Sequence, residues 1–257
     1  YYGLTPADWP LFRKAAREAL ADGPMTPSEL GAAITARRKF QHLDFVFAGR
    51  WDTLLKALFW QGVMSFGPKR CGQPTFQRLE SNLRWAGVPD ADEAGTRVVE
   101  AYLRAYGPAT IDHIRYWQNV GDKKARAWLA SLGDRLATVE IEGEQLHVLR
   151  EDLGALAETS PSKAVRLLPG FDQWTLGPGT ADGHIVPPAR RALFSRQTNM
   201  VIAGGLVSGT WAINEDQIAV SWFAEVGPIP RRALADQVER LAGMLDRQQI
   251  QLRVEEG

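Results

Sequence analysis

The sequence predicts an α+β protein in which one helical unit is used twice and a small β-rich domain follows. Gly-Pro-x-Thr occurs at Gly23-Pro24-Met25-Thr26 and again at Gly107-Pro108-Ala109-Thr110, each time between two apolar helical runs. Apolar spacing close to 3.6 residues governs the first two thirds of the chain, whereas period-two alternation takes over towards the end. With 257 residues, 45% hydrophobic and 23% charged, the chain is long enough for a sizeable core and more than one domain.

The first unit opens with a helix from Asp8 to Leu20, its apolar side formed by Trp9, Leu11/Phe12, Ala15/Ala16 and Ala19/Leu20. Gly23-Pro24 stops it, because Gly tolerates a left-handed conformation and Pro cannot continue the helix. Thr26-Pro27-Ser28-Glu29 then reads as a capping box with Pro at the first helical position. The helix it starts runs through Leu30, Ala33 and Ile34. A third helix is expected from Trp51 to Gln61, burying Leu54, Leu55, Leu58 and Phe59. Val63 to Phe66 and Pro74 to Leu79 read as paired strands around a basic turn, Gly67-Pro68-Lys69-Arg70-Cys71-Gly72. Three helices and a hairpin in this order predict a winged helix-turn-helix.

The second unit repeats the plan. A helix from Glu93 to Tyr106 leads to a Thr110-capped helix carrying Ile111, Ile114 and Trp117, then to a helix from Ala125 to Leu132. Leu136 to Val148 forms the hairpin, turning at the acidic Glu142-Gly143-Glu144. Two turns of opposite charge predict that the units do not offer one ligand equivalent surfaces. In the last segment Arg166-Leu167-Leu168-Pro169 begins apolar, and Met200–Ile202, Leu206–Ile213 and Ile218–Phe223 read as strands. A helix from Arg231 to Leu245 and a strand from Gln251 to Val254 complete the predicted barrel-like domain with its closing helix. The linker is placed at Glu158-Thr159-Ser160-Pro161-Ser162. The expected domains are residues 1–85 and 86–158, both winged helices, and the β-rich 163–257.

Charge and motif content narrow the function classes. Residues 1–85 hold 12 Lys and Arg against 7 Asp and Glu, and residues 86–162 hold 8 against 13, so an anionic polymer favours the first unit. A solvated surface explains the same excess. In a helix-turn-helix the third helix enters the major groove and the wing reaches flanking backbone. The candidate DNA contacts are therefore Arg50, Thr53, Lys56 and Gln61 on or beside that helix, Lys69, Arg70 and Gln73 on the wing, and the basic run Arg37-Arg38-Lys39. Lys and Arg contribute by neutralising phosphate, and Arg50 or a Gln reaches a base edge. Each is also accounted for as ordinary surface. Lys123, Lys124 and Arg126 open the third helix of the second unit beside a capping Asp122. Of nine tryptophans, Trp9, Trp60, Trp117 and Trp128 fall on apolar stripes and are expected in the core, and one sheet face is expected to bury Trp211 and Trp222.

No Walker loop, HExxH or G-x-S-x-G is present. Asp172 and His184 share a loop-rich segment, as an acid-base pair or as loop caps. The single cysteine, Cys71, allows no intrachain disulfide and no cysteine-based metal site, and reads as a loop bystander. No run of about 18 apolar residues is found, so no membrane span is expected, and the setting is taken as cytoplasmic. The start, Tyr1-Tyr2-Gly3-Leu4, has neither Met nor a secretory signal, and the natural N-terminus is expected upstream.

In order along nearly the whole chain, Gly23-Pro24-x-Thr26-x-x-Glu29-Leu30, Gly62-Val63-Met64-Ser65-Phe66-Gly67-Pro68, Tyr102-Leu103-x-x-Tyr106-Gly107-Pro108-Ala109-Thr110, Leu167-Leu168-Pro169-Gly170-Phe171-Asp172 with Leu176-Gly177, and Gly209-Thr210-Trp211 resemble the winged-helix DNA-binding proteins that include crosslink-unhooking DNA glycosylases of the AlkZ and YcaQ type. The resemblance implies tandem winged helices around a DNA-binding cleft, a barrel-like domain after them and another winged helix ahead of Tyr1. It places the glycosylases' catalytic Gln-x-Gln or Gln-x-Asp in that upstream region. Gln248-Gln249-x-Gln251 is in the wrong place for it, so no catalytic residue is carried over. The expected function is the DNA-binding, non-catalytic part of a repair glycosylase acting on alkylated or crosslinked DNA, with duplex DNA as partner, no metal or organic cofactor, and a monomeric state. A non-enzymatic DNA-binding protein or transcriptional regulator is the alternative, and a unit that binds only protein is a third.

Overall fold

A computed structural model describes residues 2–49, 51–195, 197–247 and 250–257. The chain is α+β and divides into two compact units, Tyr1–Ala91 and Asp92–Gly257.

In the first unit, α1 (Trp9–Ala19) buries Phe12, Ala15 and Ala16, the spacing its sequence prescribes. Helix α2 (Pro27–Thr35) starts on the capping box: the Thr26 N–H donates to Glu29 Oε2 at 2.8 Å, and the Glu29 N–H donates to Thr26 Oγ1 at 3.3 Å. Such a cap stabilises a helix by about 1 kcal/mol. The sequence reading leaves Asp44–Gly49 without an element, yet it forms a short helix, α3. Helix α3 packs on α2 at Gly31, where a Cβ would lie 2.6 Å from Phe47 atoms, so glycine is what lets the two backbones approach. Helix α4 (Trp51–Trp60) buries Leu54, Leu55 and Leu58. The hairpin joins β1 (Met64–Arg70) to β2 (Gln73–Arg78). Its turn is only Cys71-Gly72, both at positive φ (50° and 78°), and the rest of the expected basic turn is strand. Cys71 is exposed there.

The repeated Gly-Pro-x-Thr has a tertiary explanation. Its third residue, Met25, pairs as a one-residue strand with Phe76 on β2: the Met25 N–H donates to the Phe76 carbonyl (2.9 Å) and the Phe76 N–H to the Met25 carbonyl (2.7 Å). In the second unit, Ala109 pairs the same way with His147 at 2.9 and 2.8 Å. The motif thus ends one helix, adds a bridge to the returning hairpin strand and caps the next helix, all within four residues.

The second unit contains α5 (Ala91–Tyr106), α6 (Ile111–Gln118), α7 (Asp122–Ala130), β3 (Leu136–Ile141), β4 (Glu144–Leu149) and α8 (Leu153–Glu158). Thr110 caps α6 with His113 in the position Glu29 holds in α2. The His113 N–H donates to Thr110 Oγ1 at 3.2 Å, and the Thr110 N–H donates to His113 Nδ1 at 3.3 Å. Val99, Tyr102, Leu103, Ile114, Trp128 and Leu129 form the core.

An exposed stretch, residues 159–164, leads into β5 (Val165–Leu168), followed by α9 (Gln173–Leu176), β6 (Met200–Ala203), β7 (Leu206–Asn214), β8 (Gln217–Trp222), α10 (Arg231–Met244) and β9 (Gln251–Glu256). The sheet order is β5-β6-β7-β8-β9, with β8 and β9 parallel across the α10 crossover and every other pair antiparallel. The barrel-like closure expected from the sequence is not formed: among the described residues no pairing joins β5 to β9. Helix α10 instead packs against both edge strands, and its Leu234 and Val238 share a core with Val165, Ile218, Val220 and Trp222. A helix filling that face leaves the two edges no reason to meet. Trp211 packs on the same core, so one face does take both sheet tryptophans.

Two of the tryptophans expected in the core are not there. Trp60 is 79% exposed and Trp117 36%, whereas Trp128 is buried and Trp9 packs half-buried against the first core. Trp60 lies about 200° around the helix from the buried Leu58, so the packed stripe turns it outward.

Candidate nucleic-acid interface

In the first unit, α4, the β1–β2 hairpin and the α2–α3 connection carry the residues expected to contact DNA. The Leu54/Leu55/Leu58 stripe orients α4, leaving Lys56 and Trp60 outside on one side, four residues apart. Thr53, a turn earlier, is half-buried, and Gln61, just past the helix, accepts a 3.2 Å bond from Arg13. Lys69, Arg70 and Gln73 come together at the hairpin tip, with Arg70 and Gln73 paired across it.

The cations differ sharply in what they touch. Arg70 reaches Glu29 at 2.8 Å and the Pro24 carbonyl, clamping the hairpin onto the α2 cap. The Thr26 backbone amide, with Arg70 behind it, holds the Glu29 carboxyl below the usual carboxylate range. Arg37 pairs with Glu18 at 2.6 Å and Lys39 with Asp8 at 2.6 Å, so two of the three residues in the basic run tie the α2–α3 connection to α1 and its lead-in. Their hydrogen bonds keep both carboxyls low. Arg38, Lys56 and Lys69 are exposed and, among the described residues, have no side-chain partner. Arg50 lies outside the described residues.

The second unit brings together titratable side chains that the sequence reading did not group, although it named His184 and the Glu142-Gly143-Glu144 turn separately. Asp182 accepts from the His184 backbone N–H and from its ring Nδ1, both at 2.9 Å. His113 Nε2 lies 3.7 Å from Asp182, and His184 Nε2 lies 3.4 Å from Glu142 at the β3–β4 turn. With Glu144 and Gly204-Gly205-Leu206 they line an open recess of about 570 Å³. The loop carrying Asp182 and His184 is anchored by the Tyr102 hydroxyl, which donates to the Gly177 carbonyl at 3.0 Å. Gly177 admits no side chain there, because a Cβ would lie 2.3 Å from the Tyr106 ring. The Asp172–His184 pair weighed from the sequence does not form. Asp172 caps α9 by accepting from the Trp174 N–H at 2.9 Å, and Asp182 takes the histidine. The available signal was local: Asp182-Gly183-His184 is a short acid-turn-histidine sequence.

The Asp182 hydrogen bond raises the His184 pKa above the ordinary imidazole range. A group raised by folding contributes stability that is fully present below its unfolded pKa, near 6.5, and is lost as pH rises through the raised value. The Tm advantage of the wild type over His184→Gln is therefore expected to be larger at pH 6 than at pH 8. Equal differences at the two pH values would exclude the ion pair as the source.

The sequence profile described as DNA glycosylase AlkZ-like matches residues 3–244. This chain belongs to the AlkZ-like DNA glycosylase family. An interstrand DNA cross-link repair glycosylase of Streptomyces sahachiroi is 33% identical over 249 residues, covering 93% of this chain and 67% of the relative. The solved structure of Streptomyces sahachiroi DNA glycosylase AlkZ matches this AlkZ-like chain with a TM-score of 0.92 at 32% identity, covering 99% of this chain and 71% of that one. The resemblance read from the ordered motifs is thus the family the chain falls in. Among the described residues of this family member no group of three or more His, Cys, Asp or Glu is arranged to hold a metal, and no helix is long and apolar enough to cross a membrane.

Proposed function

We propose that this chain forms the DNA-binding part of a repair glycosylase acting on alkylated or crosslinked duplex DNA. Two winged helices, residues 1–85 and 86–158, and the β-rich 163–257 would be its working parts. The observation that carries the reading is continuous similarity, over 93% of the chain, to a protein described as an interstrand DNA cross-link repair glycosylase. The free cations Lys56, Lys69 and Arg38 supply the phosphate contacts that such a substrate requires. Arg50 and Gln73 are the further contacts, beside α4 and on the wing.

The chemistry follows from the substrate. A cationic alkylated purine is a good leaving group, so a held water and stabilisation of an oxocarbenium-like sugar suffice to cleave the N-glycosidic bond. No metal or organic cofactor enters that scheme. The Gln-x-Gln or Gln-x-Asp pair of the family has no counterpart assigned in this chain, and Gln248 and Gln249 lie outside the described residues. The protein is proposed to act as a cytoplasmic monomer.

The test is base release by the full-length natural protein from duplexes carrying a cationic alkylpurine or an interstrand crosslink, read as alkali-labile abasic sites. Abasic product above the uncatalysed background is expected. Salt-sensitive duplex binding with no abasic product at any protein concentration would replace the reading with that of a non-enzymatic DNA-binding protein. Absence of duplex binding would remove DNA as the partner.

A further inference from the structure

We propose that Trp60 and Phe66 form an aromatic wedge that enters the base stack of bound duplex DNA at a weakened step. The proposal rests on the DNA-binding reading above and adds how the surface recognises damage.

The two rings stand out by exposure and by placement. Trp60 ends α4 and is 79% exposed, and Phe66 on β1 is 64% exposed. Phe66 meets the ring of Phe59 at 5.0 Å, and Trp60 follows Phe59 in the last turn of α4. Phe59 and Phe66 each pack on the fully buried Phe76, at 5.5 and 5.7 Å. Phe66 is thus held from behind by two rings while its outer part stays in water. Leaving large rings exposed forgoes their burial, and exposed apolar groups on a polar surface mark binding sites.

The surroundings decide the occupant. Lys56 lies one turn before Trp60 on the same side of α4, and Lys69 lies three residues after Phe66 on the hairpin. Neither has a partner among the described residues, although Arg70, Arg37 and Lys39 do. Lysine is depleted at protein–protein interfaces, whereas a nucleic acid takes unpaired cations beside aromatic rings: phosphates receive the charge and bases stack on the rings. Apolar side chains of DNA-bending proteins enter between base steps in this way. Unstacking is least costly where a base is damaged, mismatched or missing. A wedge therefore favours duplexes already weakened at one step.

The experiment uses the full-length protein and duplexes with 2-aminopurine beside either an intact step or a tetrahydrofuran abasic analogue. A DNA-borne reporter is needed because nine tryptophans obscure the intrinsic signal. Wild type is expected to raise 2-aminopurine fluorescence and to bind the abasic duplex more tightly than the intact one. Trp60→Ala is expected to lose about tenfold in affinity for the abasic duplex and most of the fluorescence rise. Trp60→Phe is expected to recover most of both, and Phe66→Ala to show a smaller loss. The salt slope should stay unchanged in all three, since no charge is removed. Trp60→Ala is exposed enough to fold, and its thermal melt checks that. DNA binding with no 2-aminopurine response, or with Trp60→Ala equal to wild type, overturns the wedge and leaves the DNA-binding reading standing. A wild type that binds neither duplex overturns both. A Trp60→Ala variant that keeps its DNA affinity but changes the oligomeric state assigns the rings to a protein contact instead.

Discussion

Replacing Phe76 by alanine is expected to destabilise the first unit by about 3–5 kcal/mol, the usual cost of emptying a buried phenylalanine site. Phe76 is completely buried, and its ring is the floor on which Phe59 and Phe66 rest. Its backbone exchanges both hydrogen bonds with Met25, so the same residue joins the hairpin to the start of α2. Collapse of the site is limited because the strand is pinned at that bridge. Against a typical domain stability of about 5–15 kcal/mol, the loss is a large fraction. Denaturant titration followed by amide exchange across Met25, α4 and the hairpin reads it. Phe76→Leu, which keeps most of the volume, should cost far less. A Phe76→Ala midpoint equal to wild type would show that the hairpin is not held through this ring.

The second large effect is on DNA binding. Lys56→Ala combined with Lys69→Ala removes from α4 and the hairpin two cations that no described residue pairs with. Each lost phosphate contact lowers the salt slope by about 0.9, so the affinity drop between 50 and 200 mM salt should shrink roughly tenfold in the double variant. Arg70→Ala is the informative contrast. Its guanidinium already answers Glu29 and the Pro24 carbonyl, so its removal should loosen the hairpin with little change in slope. An unchanged slope in the double variant would exclude both lysines as phosphate contacts. A slope change of one contact in Arg70→Ala would show that the residue leaves Glu29 when DNA arrives.

Low pH separates the structural ion pairs from such contacts. Glu100 accepts from Arg135 at 2.6 and 2.9 Å, which pulls its pKa down to about 2. A carboxylate lowered by folding contributes stability above its unfolded pKa and loses it as pH falls through the folded value. This pair therefore holds until strongly acid conditions, well below the range of any binding assay.

The features legible in the chain are those that neighbours in sequence decide. Thr26 and Glu29, or Thr110 and His113, stand three residues apart and cap a helix whatever surrounds them. Leu54, Leu55 and Leu58 form a stripe by helical geometry alone, and β8, after the Glu215-Asp216 turn, alternates as a half-buried strand must. Ordered motifs carried the family as well. What the residues could not disclose are choices between distant partners. Arg70 meets Glu29, Lys39 meets Asp8 and His184 meets Glu142 only after the chain has folded, and equally plausible cations keep no partner among the described residues. The same holds for Trp60, whose type predicts burial but whose angle from Leu58 turns it to solvent. The sheet likewise has strands that read correctly and a closure that does not, because α10 fills the face a barrel would enclose. Local hydrogen-bonding and periodicity are written residue by residue, whereas the pairing of charges and the covering of faces depend on which surfaces meet in the folded chain.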